Sequence, residues 1–209
     1  MNYKHIIDIS WPISESMTAY KDKKVVSITP TKTWERDCAR EATLFMGTHT
    51  GTHVDAPTHF MEHGATIDQL PFKNLIGRCT VIDMQHVHDR ITAEDLQHVQ
   101  LDADHIILFK TKNSALDSNA LFNAAFVYVE QSAAGLLAAK KVRAVGVDYL
   151  GIERAQPGHE THLRLLECDI PIIEGLRLAH VEPGEYFFCC LPLALEGLEA
   201  APARAVLMQ

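Results

Sequence analysis

One stretch, HTGTHVDAPTHF at residues 49–60, constrains this chain more than any other. It places three histidines and one aspartate within twelve positions, separated by threonine, glycine, alanine and proline. Glycine, threonine and proline are poor residues for a helix interior, so one regular helix does not explain the whole set. In an extended chain alternate side chains share a face. His49, His53 and Asp55 would then point the same way, with Gly51 leaving open space between the two imidazoles.

The second half of this stretch predicts a change from extended chain to helix. Pro57 suits the first turn of a short helix, and Asp55 stands where a helix cap could be. On such a helix, Asp55 and His59 would be stacked about one turn apart. A strand or loop followed by a helix start can therefore bring all four titratable side chains together.

Imidazole and carboxylate groups are the usual protein ligands of zinc, manganese and iron. Two histidines and one carboxylate with an open position are typical of a catalytic metal, since a structural zinc is normally closed by four protein ligands. The neighbouring threonines could donate hydrogen bonds that orient the ligands. The alternative is a set of solvated side chains in a polar loop. The clustering, with glycine and proline shaping the turn, favours a metal site at His49, His53 and Asp55.

The bulk composition narrows the classes of partner and compartment. The 209 residues predict one domain over 1–209. A net charge of −8 argues against nucleic-acid binding, which requires a basic face. No segment approaches the ~20 apolar residues of a membrane span, and the amino terminus does not read as a signal peptide. The five cysteines are scattered and odd in number, which indicates no disulfide framework and favours a cytoplasmic protein.

The sequence predicts an α/β domain with a mixed or barrel-like sheet, in which strands outnumber helices. The strand predictions come from short apolar or alternating runs, notably 105–110, 126–129, 142–148, 169–176, 185–195 and 203–209. The helix predictions cover 92–99, where Thr92 and Asp95 could form the cap, together with 131–142 and 162–168. The chain has no dinucleotide-binding glycine motif, phosphate loop or serine nucleophile elbow.

The pattern H-x-G-T-H-x-D-x-P-x-H, complete in residues 49–59, resembles the signature of the cyclase family. That family includes bacterial kynurenine formamidases and isatin hydrolase. The likeness extends over most of the chain, because VGVDYLGIE at 145–153, HLRLLECDIPIIEGL at 162–176 and PLALEGLEAAPARAV at 192–206 also look like family segments.

The resemblance implies a swivelling β/β/α fold and metal-assisted hydrolysis of an amide. It assigns His49, His53 and Asp55 to a first metal ion. It also implies that His162 and Glu174 bind a second ion, with Asp55 bridging, and that His59 is the general acid/base. Zinc, one or two per chain, is the implied cofactor, with manganese as the alternative.

The residues themselves support part of this assignment. Glu174 ends the apolar run IPII, where a buried carboxylate would be costly without a cation or partner; a solvent-facing strand end is the alternative. His162 competes with His159 for the remote ligand position. Its distance from Glu174 and the leucines that follow it favour His162.

The implied substrate is N-formylkynurenine, hydrolysed to kynurenine and formate. A cyclic amide such as isatin is the alternative, and a non-catalytic metal-binding or small-molecule-binding domain is a further one. Formamidases often carry Trp-Pro-Gly-Asp in an early segment where this chain has MTAYKDKK, a departure that leaves the substrate open. Tyr20 and Trp34 are candidates to line the substrate pocket. The resemblance also implies a homodimer or homotetramer.

Overall fold

The computed structural model describes residues 4–24 and 26–209. Within these ranges the helices are α1 (Trp34–Asp37), α2 (Gln131–Ala139) and α3 (Glu160–Leu166). The strands, in chain order, are β1 (Ile6–Asp8), β2 (Ser27–Lys32), β3 (Glu41–Phe45), β4 (His53–Asp55), β5 (Ile76–Asp83), β6 (Arg90–Ile91), β7 (Ile106–Lys110), β8 (Tyr128–Val129), β9 (Ala144–Val147), β10 (Ile172–Glu174), β11 (Gly184–Pro192) and β12 (Ala200–Met208).

The main sheet closes on itself. Its strand order is β1-β12-β11-β5-β7-β9-β10-β4, and β4 also pairs with β12, so seven strands form a barrel-like ring to which β1 is attached. The pairs β5–β7, β7–β9 and β9–β10 are parallel, whereas the pairs made by β4, β11 and β12 are antiparallel. The predicted mixed, barrel-like α/β architecture is therefore confirmed.

The central parallel strands are buried on both faces, which explains their continuous apolar sequences. In β7, Ile107 and Phe109 face α2 and α3 in one core cluster, while Ile106 and Leu108 face the barrel interior in another. All four side chains have 0% exposure. At about 1.5–3 kcal/mol for each large apolar side chain, this burial on both faces of β7 contributes strongly to the stability of the sheet.

The predicted helix at 92–99 is wrong, although the cap interaction is present. The backbone N–H of Thr92 donates to Asp95 Oδ2 at 2.7 Å, but the segment continues as successive turns. Leu96 is buried within this segment, and Ile91 and Leu101, which flank it, are buried as well. Because these are five positions apart, they do not form one face of a helix with 3.6 residues per turn. Separate turns direct each of them into the core.

A second, small sheet stands apart from the barrel. The strands β2 and β3 pair only with each other among the described strands, and every residue of both is exposed. They form an arm with α1 between them, and this arm carries several exposed large apolar side chains: Ile28, Trp34, Leu44 and Phe45. Among the described residues, no helix is long and apolar enough to cross a membrane.

Candidate metal site and active-site cavity

The histidine-rich stretch forms a turn, then a strand and then one turn of 3-10 helix. Gly51 has φ +61°, so the chain turns between His49 and His53, and of the two predicted alternatives, strand or loop, the loop applies to His49. Only His53 and Asp55 share a face of β4. Pro57 begins a 3-10 helix that ends at His59, as predicted, but the cap residue is Ala56, which makes no side-chain cap bond. The expectation that Asp55 caps this helix is wrong, because the residue is committed to the strand.

The pairing of β4 brings the remote glutamate to the motif. In the antiparallel register with β10, Glu174 lies directly opposite His53, and residues opposite each other on one face of a sheet are in side-chain contact. Thr52 fixes this alignment, since its Oγ1 accepts a hydrogen bond from Trp11 N at 2.7 Å and donates one to Gly175 O at 2.6 Å. The loop that follows Glu174 is thereby held against the motif.

The five predicted ligands, three histidines and two carboxylates, lie close together in the structure. Asp55 Oδ1 lies 3.0 Å from His49 Nδ1 and 3.5 Å from His53 Nε2, and its Oδ2 lies 3.9 Å from His162 Nε2. Glu174 lies 3.4 Å from His53 Nε2 and 3.6 Å from His162 Nε2. Asp55 is 1% exposed and Glu174 is 6% exposed. Two histidines and two carboxylates are thus buried together, with His49 at their more open side.

The chemistry of these donors fits a divalent cation. Both carboxylate oxygens of Asp55 and the Nε2 of His53 are buried without a hydrogen-bond partner, an arrangement that is costly unless a further group completes them. His53 Nδ1 lies 2.9 Å from the carbonyl oxygen of Gly51. Since a carbonyl only accepts, Nδ1 must carry the proton of the neutral ring. The lone pair is then on Nε2, which faces the carboxylates as a metal ligand requires.

The electrostatics show how strongly this cluster attracts positive charge. Burial lowers the pKa of His53, but its contacts with Glu174 and Asp55 raise that pKa to about 9. Burial likewise opposes protonation of His162, and the neighbouring carboxylates Glu153 and Glu174 raise its pKa to about 10. Burial would raise the pKa of Glu174, but His162 and His53 hold it well below its usual range. In the metal-free chain, imidazolium protons therefore balance the carboxylates, and a metal ion would have to replace them.

His59 lies at the open side of this cluster, where His49, Asp55 and His59 each offer a ligand atom within 4.8 Å of the others. Its ring centroid is 4.4 Å from that of His49 and 5.8 Å from that of His162. Burial lowers its pKa, and the attraction of Asp55 does not compensate for the repulsion from the nearby imidazoles. A neutral ring near pH 7 can accept a proton, which suits the predicted role as general acid/base.

Of the two histidines considered for the remote position, the structure brings His162 into the cluster. It lies on α3 and is 8% exposed. The His159 side chain is 53% exposed, and its Nδ1 contacts Glu153 at 2.8 Å. The predicted helix at 162–168 begins two residues earlier, at Glu160, so its first turns direct the His162 ring toward Asp55 and Glu174.

Two carboxylates next to the predicted ligands were not themselves predicted. Glu153 Oε1 lies 2.8 Å from His162 Nδ1, and Glu199 Oε1 lies 3.4 Å from His49 Nε2 while accepting a hydrogen bond from Thr48 Oγ1 at 2.6 Å. Glu153 ends the segment 145–153 that resembles the cyclase family, which was a usable signal. Glu199 precedes β12 and has no comparable signal in the sequence.

A cavity of about 840 Å³ opens onto the cluster. Tyr20, Phe60 and Leu150 contribute to its walls, so the predicted location of Tyr20 at the pocket agrees with the structure. The tyrosine ring packs edge-on against Phe122 at 4.9 Å. Trp34 lies on the exposed arm, with 61% exposure, and does not line this cavity. The expectation for Trp34 within this chain is therefore wrong.

The Cyclase family model matches residues 7–154, which include the whole histidine-rich stretch. The chain is 34% identical over 180 residues to cyclase-like protein 3 of Oryza sativa subsp. japonica, covering 82% of this chain and 66% of the rice protein. It thus spans slightly less than two thirds of that relative. It is 32% identical over 205 residues to a kynurenine formamidase of Salinibacter ruber (strain DSM 13855 / M31), covering 97% of this chain and 96% of that protein.

Solved structures share the fold. A structure described as a predicted metal-dependent hydrolase from Bacillus stearothermophilus has a TM-score of 0.88 and 44% identity, and the match covers 98% of both chains. Isatin hydrolase A from Ralstonia solanacearum has a TM-score of 0.85 at 22% identity, covering 98% of this chain and 91% of that one. The second likeness concerns the fold alone.

Proposed function

Because this chain belongs to the cyclase family, we propose that it is a metal-dependent hydrolase of a small amide. The proposed reaction is of the arylformamidase type, in which N-formylkynurenine gives kynurenine and formate. One observation carries the proposal above all: Asp55 and His53 present buried ligand atoms that have no hydrogen-bond partner, beside the 840 Å³ cavity. The similarity to the formamidase of Salinibacter ruber supports this choice of substrate.

We assign His49, His53 and Asp55 to a first metal ion. His162 and Glu174 would hold a second, with Asp55 between the two. Imidazole and carboxylate ligands suit zinc, manganese and iron alike, and the ion that we propose is zinc, with manganese as the alternative. A metal ion held there would supply a water activated for attack near neutral pH and a positive charge to polarise the carbonyl of the substrate.

His59 would move the proton that the reaction requires. Its ring stands next to the ligand His49 at the cavity, with a pKa below the usual histidine value. It can accept a proton during attack on the formyl carbon and deliver one to the leaving nitrogen. No serine or cysteine nucleophile is needed for this mechanism.

The cavity walls would orient the non-reacting part of the substrate. Tyr20, Phe60 and Leu150 provide apolar and aromatic surface, which suits an aryl group attached to the amide. A smaller adjoining cavity of about 250 Å³ shares Tyr20, His49 and Leu150 and is lined further by Met17. An aromatic body lying along these walls would present its amide to the carboxylate and imidazole cluster.

The test is hydrolysis of N-formylkynurenine by protein reconstituted with zinc or with manganese, against protein kept in a chelator. We expect turnover only with metal. Protein shown by elemental analysis to contain metal, yet inactive on this substrate, would refute the arylformamidase assignment. Isatin, as a cyclic amide, would then be assayed under the same conditions, and inactivity on both would favour the non-catalytic binding domain.

We also propose that the active form is a homodimer or homotetramer. A two-stranded sheet is marginally stable in water on its own, yet the arm formed by β2 and β3 is exposed throughout and carries Trp34 and Phe45 at 61% and 70% exposure. Another copy of the chain could cover these side chains. Light scattering coupled to size exclusion should give twice or four times the monomer mass, and a monomer would refute the proposal. The proposed compartment is the cytoplasm, which suits the five free cysteines.

A further inference from the structure

Glu153 is a buried carboxylate that contacts the candidate metal site without belonging to the predicted ligand set. It lies in the loop that follows β9 and is 6% exposed. A buried carboxylate is costly unless donors surround it, and the contacts of Glu153 show what it holds in place. The following inference rests on the metal site proposed above.

One carboxylate oxygen faces two imidazoles. Glu153 Oε1 lies 2.8 Å from Nδ1 of His162 and 2.8 Å from Nδ1 of His159. The His159 contact is a hydrogen bond, whereas the His162 contact has the distance of one but not the alignment. A carboxylate oxygen favours a proton on the nitrogen facing it, so the neutral His162 ring would carry its proton on Nδ1.

The opposite nitrogen of His162 is thereby made available. His162 Nε2 faces Glu174 Oε1 at 3.6 Å and Asp55 Oδ2 at 3.9 Å. A histidine ligand whose other nitrogen donates to a carboxylate has its tautomer and ring orientation fixed, and its basicity is raised. Glu153 occupies that position behind His162.

The second oxygen of Glu153 anchors the helix on which His162 lies. Oε2 accepts hydrogen bonds from the backbone N–H of Thr161 at 2.9 Å and of His162 at 3.4 Å, and from Gln156 Nε2 at 2.8 Å. Since the N-cap residue His159 makes no side-chain cap bond, Glu153 supplies the acceptor that the first N–H groups of α3 need. One side chain thus fixes both the backbone and the ring of the same residue.

Phe60 restricts the ring further. Its centroid lies 4.5 Å from that of His162 and 4.6 Å from that of His159. A ring held by an aromatic neighbour on one side and a carboxylate at Nδ1 has little freedom to turn.

We propose that Glu153 is a positioning residue of the metal site, which holds α3 and orients His162 so that Nε2 points at Asp55 and Glu174. The first test is zinc affinity and stoichiometry, measured by competition with a chromogenic chelator. In Glu153→Ala, the ion held through His162 should bind about 10–100-fold more weakly. His159→Ala is the comparison variant. His159 contacts the same oxygen but neither Asp55 nor Glu174, so its zinc affinity should equal that of wild type. Because Glu153, His159 and His162 also offer ligand atoms within 4.8 Å of one another, weaker zinc binding in this variant would show a ligand set there and overturn the positioning role.

A second variant keeps the proposal testable if Glu153→Ala does not fold. Glu153→Gln offers one oxygen where glutamate offers two, so either the helix N–H groups or the imidazole N–H loses its acceptor. Nitrogen-15 NMR of the zinc-bound protein should show a protonated, slowly exchanging Nδ1 on His162 in wild type. The same proton should exchange faster in Glu153→Gln.

The outcomes separate the proposals. A zinc affinity in the Glu153 variants equal to that of wild type, with an unchanged Nδ1 signal, would overturn the positioning role. A lower melting temperature with unchanged affinity and signal would also overturn it, since that result describes a helix anchor alone. A wild-type protein that binds no zinc or manganese would instead overturn the proposed function.

Discussion

Gly175 gives the sharpest test of how the fold holds the candidate site together. It follows Glu174 with φ +71°, and a Cβ added there would lie 2.3 Å from the carbonyl oxygen of Gly51 and 3.0 Å from the backbone nitrogen of Thr52. Both neighbours are backbone atoms of the histidine-rich stretch, so neither can move without displacing the proposed metal ligands. We expect Gly175→Ala to be strongly destabilising.

The magnitude follows from two separate costs. A left-handed backbone costs a residue with a Cβ about 1–2 kcal/mol, and forcing extra atoms into a packed region costs about 1–3 kcal/mol. The sum is about 2–5 kcal/mol. For a domain of this size, each kcal/mol lowers the melting temperature by about 2–4 °C, so Gly175→Ala should melt about 4–20 °C below wild type.

A matched control separates the two costs. Gly197 has φ +74°, but a Cβ there would meet nothing within 4 Å. Gly197→Ala should therefore show only the backbone cost of about 1–2 kcal/mol. Gly135 lies in α2 with open space around it. Gly135→Ala should therefore raise the free energy of unfolding by about 0.8–1 kcal/mol, because alanine has the higher helix propensity.

The assay is thermal unfolding of the three variants in a chelator, so that metal binding does not contribute. The free energy of unfolding of Gly175→Ala should fall about 1–3 kcal/mol further than that of Gly197→Ala, the difference being the overlap with Gly51. An equal loss in the free energy of unfolding for the two variants would refute the reasoning. It would mean that the backbone at Gly51 moves away from the added Cβ at no cost.

Three further predictions concern the site itself. His59→Ala should keep its metal but lose at least about 100-fold in rate; unchanged turnover would remove His59 from the mechanism. Glu174→Ala should bind less zinc per chain than wild type, and an unchanged stoichiometry would exclude Glu174 as a ligand. The pKa values of His53 and His162 are raised to about 9 and about 10 from 6.5. Their contribution to stability is therefore complete below pH 6.5 and is lost as the pH rises through 9 to 10. The melting temperature of metal-free protein should fall over that range by calorimetry, and a flat profile would contradict the ion pairs described.

The sequence predicted the site better than its surroundings, for a physical reason. His49, His53, Asp55 and His59 lie within eleven positions, so any turn that keeps the chain compact brings them close. Glu153 was not selected from the sequence, since a lone glutamate is usually solvated, although it ends a segment that resembles the cyclase family. Its burial follows only when the loop after β9 packs beneath α3.

The errors came from competition between local and long-range interactions. Asp55 has a residue type that caps helices, but strand pairing with both β10 and β12 determines its conformation. At 92–99 the local cap formed as expected, and the spacing of the buried residues prevented a helix. The closure of the barrel depends on a three-residue strand, which is too short to give a clear periodic signal.

That short strand has a consequence for the integrity of the whole barrel. β4 closes the ring by pairing with both β10 and β12. With only three residues, it offers few hydrogen bonds to hold the ring closed. The proposed ligands lie on β4, β10 and α3, around the point where β4 closes the ring. A bound ion would therefore link these three elements to one another. At a free concentration of 1,000 times its dissociation constant, such an ion adds about 4.1 kcal/mol to the free energy of unfolding. The concentration of available metal would then determine how often β4 separates from its neighbouring strands. The amide hydrogens of β4 should exchange with solvent faster once a chelator is added.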